Sequence, residues 1–158
     1  MKSLCIIPAR GGSKRIPRKN IKLFMGKPIM AYSIEAAKAS GLFDEVMVST
    51  DDEEFAEVAR QYGASVPFLR SEKTSNDFAG TEDVMLEVLD EYKKLGKEFE
   101  NFCCLYSTAP FVTADRLKEA YKLLSDDVDA AFTVLQYSYP VQRSLKKNSK
   151  GHVEMNFP

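Results

Sequence analysis

The chain has 158 residues and a formal net charge of −1, with 22 Lys and Arg residues balanced by 23 Asp and Glu residues. This balance argues against general affinity for nucleic acid or membranes, so we expect neither as a partner. The length and the apolar content of 44% predict one globular domain over residues 1–158, large enough to bury a core.

The first predicted element is a buried strand, the apolar run from Leu4 to Ile7. Pro8 ends this strand, because its nitrogen has no hydrogen to donate to a neighbouring strand. In the loop that follows, adjacent glycines let the backbone come close to an anion, and cations supply the charge that binds phosphate. The loop therefore predicts a triphosphate site. Its two glycines and five cations are Gly11, Gly12, Arg10, Lys14, Arg15, Arg18 and Lys19.

Two familiar phosphate loops do not fit this segment. A P-loop has four residues between its first glycine and its Gly-Lys pair, a spacing that residues 11–14 lack. A dinucleotide-binding loop has three spaced glycines that lead into a helix, whereas Pro17 and further cations follow here. The alternative is a solvated basic turn, which is what most charge clusters are. The coincidence of glycines and cations directly after a first strand favours the phosphate site.

Strands and helices alternate along the rest of the chain, which predicts an α/β fold with a mostly parallel sheet. The further predicted strands cover residues 46–48, 65–69, 102–106 and 129–135. The predicted helices begin at Pro28, at Asp51, shortly before Val84 and at Thr113, and the first three end at Gly41, Gly63 and Gly96.

Short polar signals mark helix starts, loops and turns. Asp51 and Glu54 have the spacing of a capping box, and Thr113 is a typical N-cap residue. Residues 70–80 are polar without periodicity and are predicted to form a loop. Residues 148–151, Asn-Ser-Lys-Gly, predict a hairpin turn near the end of the chain.

Four polar segments follow predicted strands and are expected to share one edge of the sheet. Ligands of open parallel sheets bind outside the carboxyl ends of the strands, so these segments predict a single cleft. The segments are residues 9–20, 49–52, 70–80 and 107–111.

Residues 8–20, Pro-Ala-Arg-Gly-Gly-Ser-Lys-Arg-Ile-Pro-Arg-Lys-Asn, resemble the signature of the sugar-acid cytidylyltransferases. Arg15-Ile16-Pro17 and the later Gly26-Lys27-Pro28 are most similar to the pseudaminic acid type within this family. The resemblance implies a three-layer, Rossmann-like nucleotidyltransferase fold. It also implies that CTP reacts with a nine-carbon acidic sugar of the pseudaminic or sialic acid type, giving the CMP-sugar and pyrophosphate. A homodimer is implied as well.

The same resemblance assigns roles in nucleotide binding. Arg10, Lys14 and Lys19 would contact the phosphates and act in catalysis, while Arg15 and Arg18 are equally well read as solvated cations. The residues that the resemblance places at the nucleotide are Ala9, Arg10, Gly11, Gly12, Ser13, Lys14, Asn20, Arg70 and Thr81. Among these, Asn20 and Arg70 match positions that read cytosine, whereas Thr81 is equally well explained as a helix N-cap.

Two segments resemble sugar-binding regions of the pseudaminic acid type. In residues 106–111, Tyr106 and Thr108 are the expected sugar contacts. Tyr106 stands where the sialic acid enzymes have a glutamine, and this departure argues against sialic acid itself as the acceptor. In residues 139–143, Gln142 and Arg143 are the proposed sugar contacts, with Arg143 able to pair with the sugar carboxylate. A surface arginine before a hairpin is the alternative reading of Arg143.

The family uses Mg²⁺, held partly by paired aspartates downstream of Pro158, so no metal ligand is assigned in this chain. Asp51 and Asp52 are either a partial substitute or simply a helix start. Because members of the family are longer, we expect the chain to be incomplete at its C-terminal end. Two alternatives therefore stay open: another acceptor, either an eight-carbon sugar acid or a polyol, and a truncated nucleotide-binding module without turnover.

A cytoplasmic location is expected from two features of the sequence. No apolar run has the length of a membrane span, and the first predicted strand begins too near Met1 to leave room for a leader. The three cysteines, Cys5, Cys103 and Cys104, lie in apolar stretches without metal-ligand spacing, which is typical of buried thiols in a reducing compartment.

Overall fold

The computed structural model describes residues 2–158, which contain seven strands and five α-helices. The strands are β1 (Ser3–Pro8), β2 (Leu23–Phe24), β3 (Lys27–Pro28), β4 (Glu45–Ser49), β5 (Asn101–Cys104), β6 (Leu145–Lys147) and β7 (Val153–Met155). The helices are α1 (Ile29–Ser40), α2 (Glu53–Gln61), α3 (Glu72–Ser75), α4 (Thr81–Lys94) and α5 (Ala114–Tyr121). Two 3₁₀ turns lie at Lys19–Ile21 and Val141–Arg143.

The structure has two compact units, the first ending at Leu123 and the second formed by Leu124–Pro158. The first contains β1–β5 and all five helices, and the second contains the hairpin of β6 and β7. The single domain over residues 1–158 stays a prediction. Among the described residues, no helix has both the length and the hydropathy of a membrane span.

A three-stranded parallel sheet in the order β4-β1-β5 is the centre of the first unit. In the register of this sheet, Leu4 of β1 pairs with Glu45 on one side and with Phe102 on the other. The predicted α/β class and the mostly parallel sheet are therefore confirmed. Pro8 is the last residue of β1, and hydrogen bonding to β4 ends with the N–H of Ala9, which donates to the carbonyl of Ser49 at 2.9 Å.

Helices cover both faces of the sheet, because β1 is apolar on both faces. Cys5 and Ile7 pack with residues of α1 and α2, including Ile34 and Phe55. The alternate residues Leu4 and Ile6 pack against α4 on the opposite face, on side chains that include Val84, Val88 and Tyr92. Successive side chains of a strand point to opposite faces, so one short apolar run requires two covering layers. This confirms the predicted three-layer arrangement.

The helix starts differ from the prediction at three places. α1 begins at Ile29, and Pro28, predicted as its first residue, is its N-cap. Asp52, not Asp51, caps α2, since its carboxylate accepts from the N–H groups of Glu54 at 2.9 Å and Phe55 at 3.3 Å. Thr81 is the first residue of α4 rather than its N-cap, which is Gly80. The prediction that Thr113 caps a helix is confirmed, because its hydroxyl accepts from the N–H of Arg116.

The predicted strand over residues 65–69 is wrong except for its first residue. Ser65 forms a parallel bridge to Met47, with hydrogen bonds to Val46 and Val48 on either side. In a parallel ladder the next bond along would come from the N–H of residue 67. Residue 67 is a proline and has no N–H, so the pairing stops.

Two other predictions need correction. Residues 129–135 form no strand, and their apolar side chains, among them Val134 at 83% exposure, lie in solvent without a neighbouring strand. The predicted loop at residues 70–80 includes the single helical turn α3. The sequence analysis also missed the hairpin of β2 and β3, in which Met25 (φ 47°) and Gly26 (φ 92°) make the turn.

The hairpin turn predicted at residues 148–151 is confirmed within the second unit. It connects the antiparallel strands β6 and β7, and Gly151 adopts a left-handed φ of 81°. The side-chain oxygen of Asn148 accepts from the N–H groups of Lys150 and His152, both at 3.0 Å.

Two leucine truncations test the assignment of the core. Leu4 is fully buried, so Leu4→Ala should lower the free energy of unfolding by about 2–5 kcal/mol through lost burial and a residual cavity. Leu86 is 62% exposed on α4, so Leu86→Ala should change it by less than about 0.5 kcal/mol. Urea titration followed by circular dichroism measures both values, and similar effects of the two substitutions would contradict the burial of β1.

Candidate functional site

Hydrogen bonds join the four polar segments that the sequence predicts at the carboxyl edge of the sheet. The N–H of Gly11 donates to the Asp51 carboxylate at 2.8 Å. The hydroxyl of Ser107 donates to the side-chain oxygen of Asn20 at 2.9 Å. Arg70 donates to the Ser49 carbonyl at 2.7 Å. The predicted meeting of these segments at one edge is confirmed.

The glycines after β1 serve different purposes. A Cβ added to Gly11 would lie 2.8 Å from a carboxylate oxygen of Asp52, so a larger residue here would displace the Asp52 side chain. At Gly12 an added Cβ would meet nothing within 4 Å. The loop then folds back on itself, with the N–H of Ser13 donating to the carbonyl of Gly11 at 2.9 Å. The N–H of Gly11, which the sequence analysis offers to a phosphate, is thus committed to Asp51.

Arg10 and Lys14 converge on one carboxylate, that of Asp77. Arg10 Nη2 lies 3.0 Å from Asp77 Oδ1, and Lys14 Nζ forms an ion pair with Oδ2 of the same group. The hydrogen bond from Lys14 is the largest effect that lowers the pKa of Asp77 below its usual value. These two predicted phosphate cations therefore hold an anion in common.

Arg18 has a different role from Arg10 and Lys14. Its backbone is left-handed (φ 53°), and its guanidinium lies 4.9 Å from the ring centre of Phe55 in α2. The same guanidinium pairs with Asp52 at 3.3 Å and with Glu54, which ties the loop to the start of α2. Arg15 is exposed, and Lys19 is half-buried in the 3₁₀ turn.

Asn20 closes the loop after β1 through a buried side-chain amide. Its nitrogen donates to the carbonyl of Arg10 at 2.9 Å, and its oxygen accepts from Ser107. Both Asn20 and Ser107 are 4% exposed. An amide has two N–H donors and two acceptor lone pairs, so one of each is left for a ligand. Ser107 was not predicted as a site residue, although its place directly after a predicted strand is a signal for one.

The side chain of Arg70 is buried and hydrogen-bonded to Ser49 at the end of β4. Its Nε donates to the Ser49 hydroxyl at 3.1 Å and its Nη2 to the Ser49 carbonyl. Burial lowers the pKa of the Arg70 guanidinium, and the charges of Asp51 and Glu87 oppose this effect. The guanidinium is fixed by these two contacts, while Nη1 takes no part in them.

Glu87 of α4, which the sequence analysis missed, anchors the segment that follows Arg70. Its carboxylate accepts from the N–H of Ser71 at 2.7 Å and also from the hydroxyls of Ser71 and Thr74. Burial alone would raise the pKa of Glu87, but these hydrogen bonds outweigh it and the pKa is lowered.

Thr81 and Tyr106, predicted at the nucleotide and at the sugar, lie next to each other. The Thr81 hydroxyl and the Tyr106 phenol oxygen are 3.2 Å apart. Tyr106 is 58% exposed, and its carbonyl accepts from the hydroxyl of Ser33 in α1. Thr108 is exposed in the same segment.

Gln142 and Arg143 belong to the second unit, where both are exposed in the 3₁₀ turn Val141–Arg143. Arg143 lines a surface depression of about 350 Å³ together with Tyr137, Tyr139, Pro140, Val141 and Ser144.

No cluster in the described range, residues 2–158, has three or more acidic, histidine or cysteine side chains placed to hold a metal ion. Asp51 accepts from Gly11, and Asp52 caps α2 and pairs with Arg18. The helix-start explanation therefore accounts for Asp52, and no magnesium ligand is assigned among the described residues.

Comparison with known proteins shows similarity along nearly the whole chain. The family model described as cytidylyltransferase matches residues 4–150. The pseudaminic acid cytidylyltransferase of Campylobacter jejuni (serotype O:2) is 47% identical over 98% of this chain and 67% of its own length. The CMP-N,N'-diacetyllegionaminic acid synthase of Legionella pneumophila is 40% identical over 78% of this chain and 53% of its own length.

Solved structures agree with these similarities. The CMP:2-keto-3-deoxy-manno-octonic acid synthetase complexed with CTP superposes with a TM-score of 0.65 at 25% identity, over 77% of this chain and 46% of that chain. A cytidylyltransferase from Leptospira borgpetersenii gives a TM-score of 0.61 at 26% identity, over 78% of this chain and 49% of that one. The chain thus spans about half the length of these structures. The predicted nucleotidyltransferase fold is confirmed.

Removal of the Ser107 hydroxyl tests the buried connection to Asn20. Ser107→Ala leaves a buried amide oxygen without this donor, which should lower the free energy of unfolding by about 1–3 kcal/mol. Ser144, partly exposed in the second unit, accepts a hydrogen bond from the side chain of Asn156. Ser144→Ala should cost less than Ser107→Ala in the same urea titration, and an equal or larger cost would contradict the proposed importance of the buried contact.

Proposed function

Because the chain belongs to the cytidylyltransferase family, we propose that it binds CTP and transfers CMP to a nine-carbon acidic sugar of the pseudaminic acid type. The similarity to pseudaminic acid cytidylyltransferase extends over 98% of the chain, which supports this acceptor over sialic acid. The single observation that carries the proposal is the convergence of Arg10 and Lys14 on one anion at the carboxyl edge of the sheet.

In the proposed reaction the anomeric hydroxyl oxygen of the sugar attacks the α-phosphorus of CTP. The bond from that phosphorus to the bridging oxygen breaks, pyrophosphate leaves, and the hydroxyl proton is released to solvent. Such a transfer needs positioning and charge stabilisation more than covalent participation of the protein. Arg10 and Lys14 would hold the phosphates and offset the charge that grows on the leaving pyrophosphate. Lys19 and Ser13 would add further donors, together with the N–H of Gly12. Ala9 and Gly11, whose N–H groups donate to Ser49 and Asp51, would line the nucleotide without donating to it.

We assign recognition of the cytosine ring to Asn20 and Arg70. Both side chains are fixed by buried hydrogen bonds, and each retains donors that those bonds do not use. Groups held in place before a ligand arrives lose little entropy when it binds. Thr81 and Tyr106, linked through their hydroxyl groups, would lie between the nucleotide and the sugar.

Contacts to the acceptor are proposed for Tyr106, Thr108, Gln142 and Arg143. For Gln142 and Arg143 the proposal rests on the resemblance of residues 139–143 and on the charge of Arg143, which suits a sugar carboxylate.

The other expected properties are proposals too. Mg²⁺ would neutralise phosphate charge when bound with CTP, but the described residues give it no ligand set, so no step is assigned to it. A cytoplasmic homodimer without a nucleic-acid or membrane partner is proposed on the same resemblance.

An eight-carbon acid is the second candidate acceptor. It is favoured by the structural similarity to CMP:2-keto-3-deoxy-manno-octonic acid synthetase. The identity to that protein is 25%, against 47% for the pseudaminic acid enzyme, which places it second.

Nucleotide selectivity and turnover are tested together. CTP should bind more tightly than UTP, ATP or GTP, because a site that reads polar base edges leaves its groups unpaired with the wrong base. Calorimetric titration of the four triphosphates measures this, and equal affinities would remove the assignment of Asn20 and Arg70.

A pyrophosphate-release assay with CTP and Mg²⁺ then compares nine-carbon with eight-carbon sugar acids. Release with pseudaminic acid alone supports the proposal. Binding of CTP without release with any acid would identify a nucleotide-binding module instead.

Substitution of the two loop cations tests the phosphate assignment. Arg10→Ala and Lys14→Ala should each weaken CTP binding by about 1.5–3 kcal/mol, the range for hydrogen bonds to charged groups. Arg116→Ala is the control, since Arg116 is an exposed cation of α5 that pairs with Glu119. If both loop variants bind CTP like the Arg116→Ala variant, the loop is a solvated turn and the proposed function fails.

A further inference from the structure

Asp77 lies where the proposed function requires a phosphate. Its two carboxylate oxygens pair with the side chains of Arg10 and Lys14. A second guanidinium nitrogen of Arg10 donates to the carbonyl of the preceding residue, Asn76, at 2.7 Å. The segment of residues 76–77 thus takes up donors that would otherwise face a ligand.

The loop that carries Asp77 is held mainly by its own hydrogen bonds. The side-chain oxygen of Asn76 accepts from the N–H groups of Phe78 at 2.8 Å and Ala79 at 3.0 Å, and its nitrogen donates to the carbonyl of Lys73. At the other end the N–H of Gly80 donates to Asp83 in α4. Within the described chain, Arg10 and Lys14 make the only polar contacts between residues 76–80 and the loop after β1. Loss of these contacts would leave the internal bonds of the loop intact.

The ion pairs of Asp77 are exposed and therefore weak. The side chain of Lys14 is 82% exposed, and those of Arg10 and Asp77 are each 35% exposed. A carboxylate presents two oxygens and one negative charge, whereas the β- and γ-phosphates of a nucleotide present more of both to the same cations. A polyphosphate should therefore displace Asp77 from Arg10 and Lys14.

We propose that Asp77 is an internal competitor for the phosphate subsite, an inference that rests on the proposed function. Asp77 occupies Arg10 and Lys14 in the empty site, yields them to CTP, and takes them back as pyrophosphate leaves. A ligand can bind only to molecules in which Asp77 has released the two cations. Its apparent dissociation constant is therefore the intrinsic constant divided by the fraction of molecules in that open state. Asp77 thereby favours release of the product at some cost in affinity for CTP.

The test compares Asp77→Asn with the parent chain in calorimetric titrations of pyrophosphate and of CTP at about 0.15 M salt, where surface charges are screened within about 8 Å. Loss of the competing carboxylate should lower both dissociation constants by about 3- to 10-fold, the scale of two exposed ion pairs. Asp90→Asn is the matched control, because Asp90 is an exposed carboxylate of α4 with no ion pair in the described part of the chain. It should leave both constants unchanged, and Asp77→Glu should bind like the parent.

Each outcome decides the inference. Unchanged or weaker binding of pyrophosphate by Asp77→Asn overturns it, provided that the parent binds CTP, and leaves the proposed function standing. If neither the parent nor any variant binds CTP or pyrophosphate, the proposed function and the inference both fail. Asp77→Ser serves as a second neutral variant, and thermal unfolding by circular dichroism verifies that each variant is folded.

Discussion

The burial of β1 on both faces is the constraint on which the rest of the first unit depends. Leu4, Cys5, Ile6 and Ile7 are each inaccessible to solvent, so layers of helices must cover both sides of the strand. The strands of the sheet are parallel, so their carboxyl ends lie at the same edge, and each loop that follows a strand begins there. The site at that edge is therefore a consequence of a six-residue strand, and its polar segments meet there although they are separated by up to 87 positions in sequence.

Charge balance is a second constraint, because several cations follow β1 within ten residues. Arg10 and Lys14 pair with Asp77, and Arg18 pairs with acids at the start of α2. Asp52 and Glu54 follow β4, whereas Asp77 follows the short helix α3, so the cations after β1 find their partners in two separate segments of the chain. The cations proposed to bind a polyanion are thus paired, in this structure, with acids of the protein itself.

The sequence was informative where one local signal decides the structure. The apolar run at β1, the cap at Thr113 and the turn at residues 148–151 are of this kind, and so is the loop signature at residues 8–20. It was misleading where a long-range partner decides. Residues 129–135 have β-forming side chains but no strand beside them. Asp51 and Asp52 are equally good N-caps by type, and only the approach of Gly11 assigns one carboxylate to the loop and the other to α2.

The same distinction explains which site residues were predicted. The motif points to residues that are proposed to bind a ligand, such as Arg10, but it does not indicate which protein groups those residues contact in this structure. Ser107 and Asp77 carry no motif of their own and become visible only through distances. These two residues also belong to parts of the site that differ in rigidity. Ser107 fixes a buried amide, which makes that part of the site rigid, whereas Asp77 holds exposed cations through weak pairs. The part of the site assigned to the base is therefore fixed, whereas the part assigned to the phosphates can exchange partners. This difference suits the proposed reaction, in which the nucleoside is retained while pyrophosphate departs.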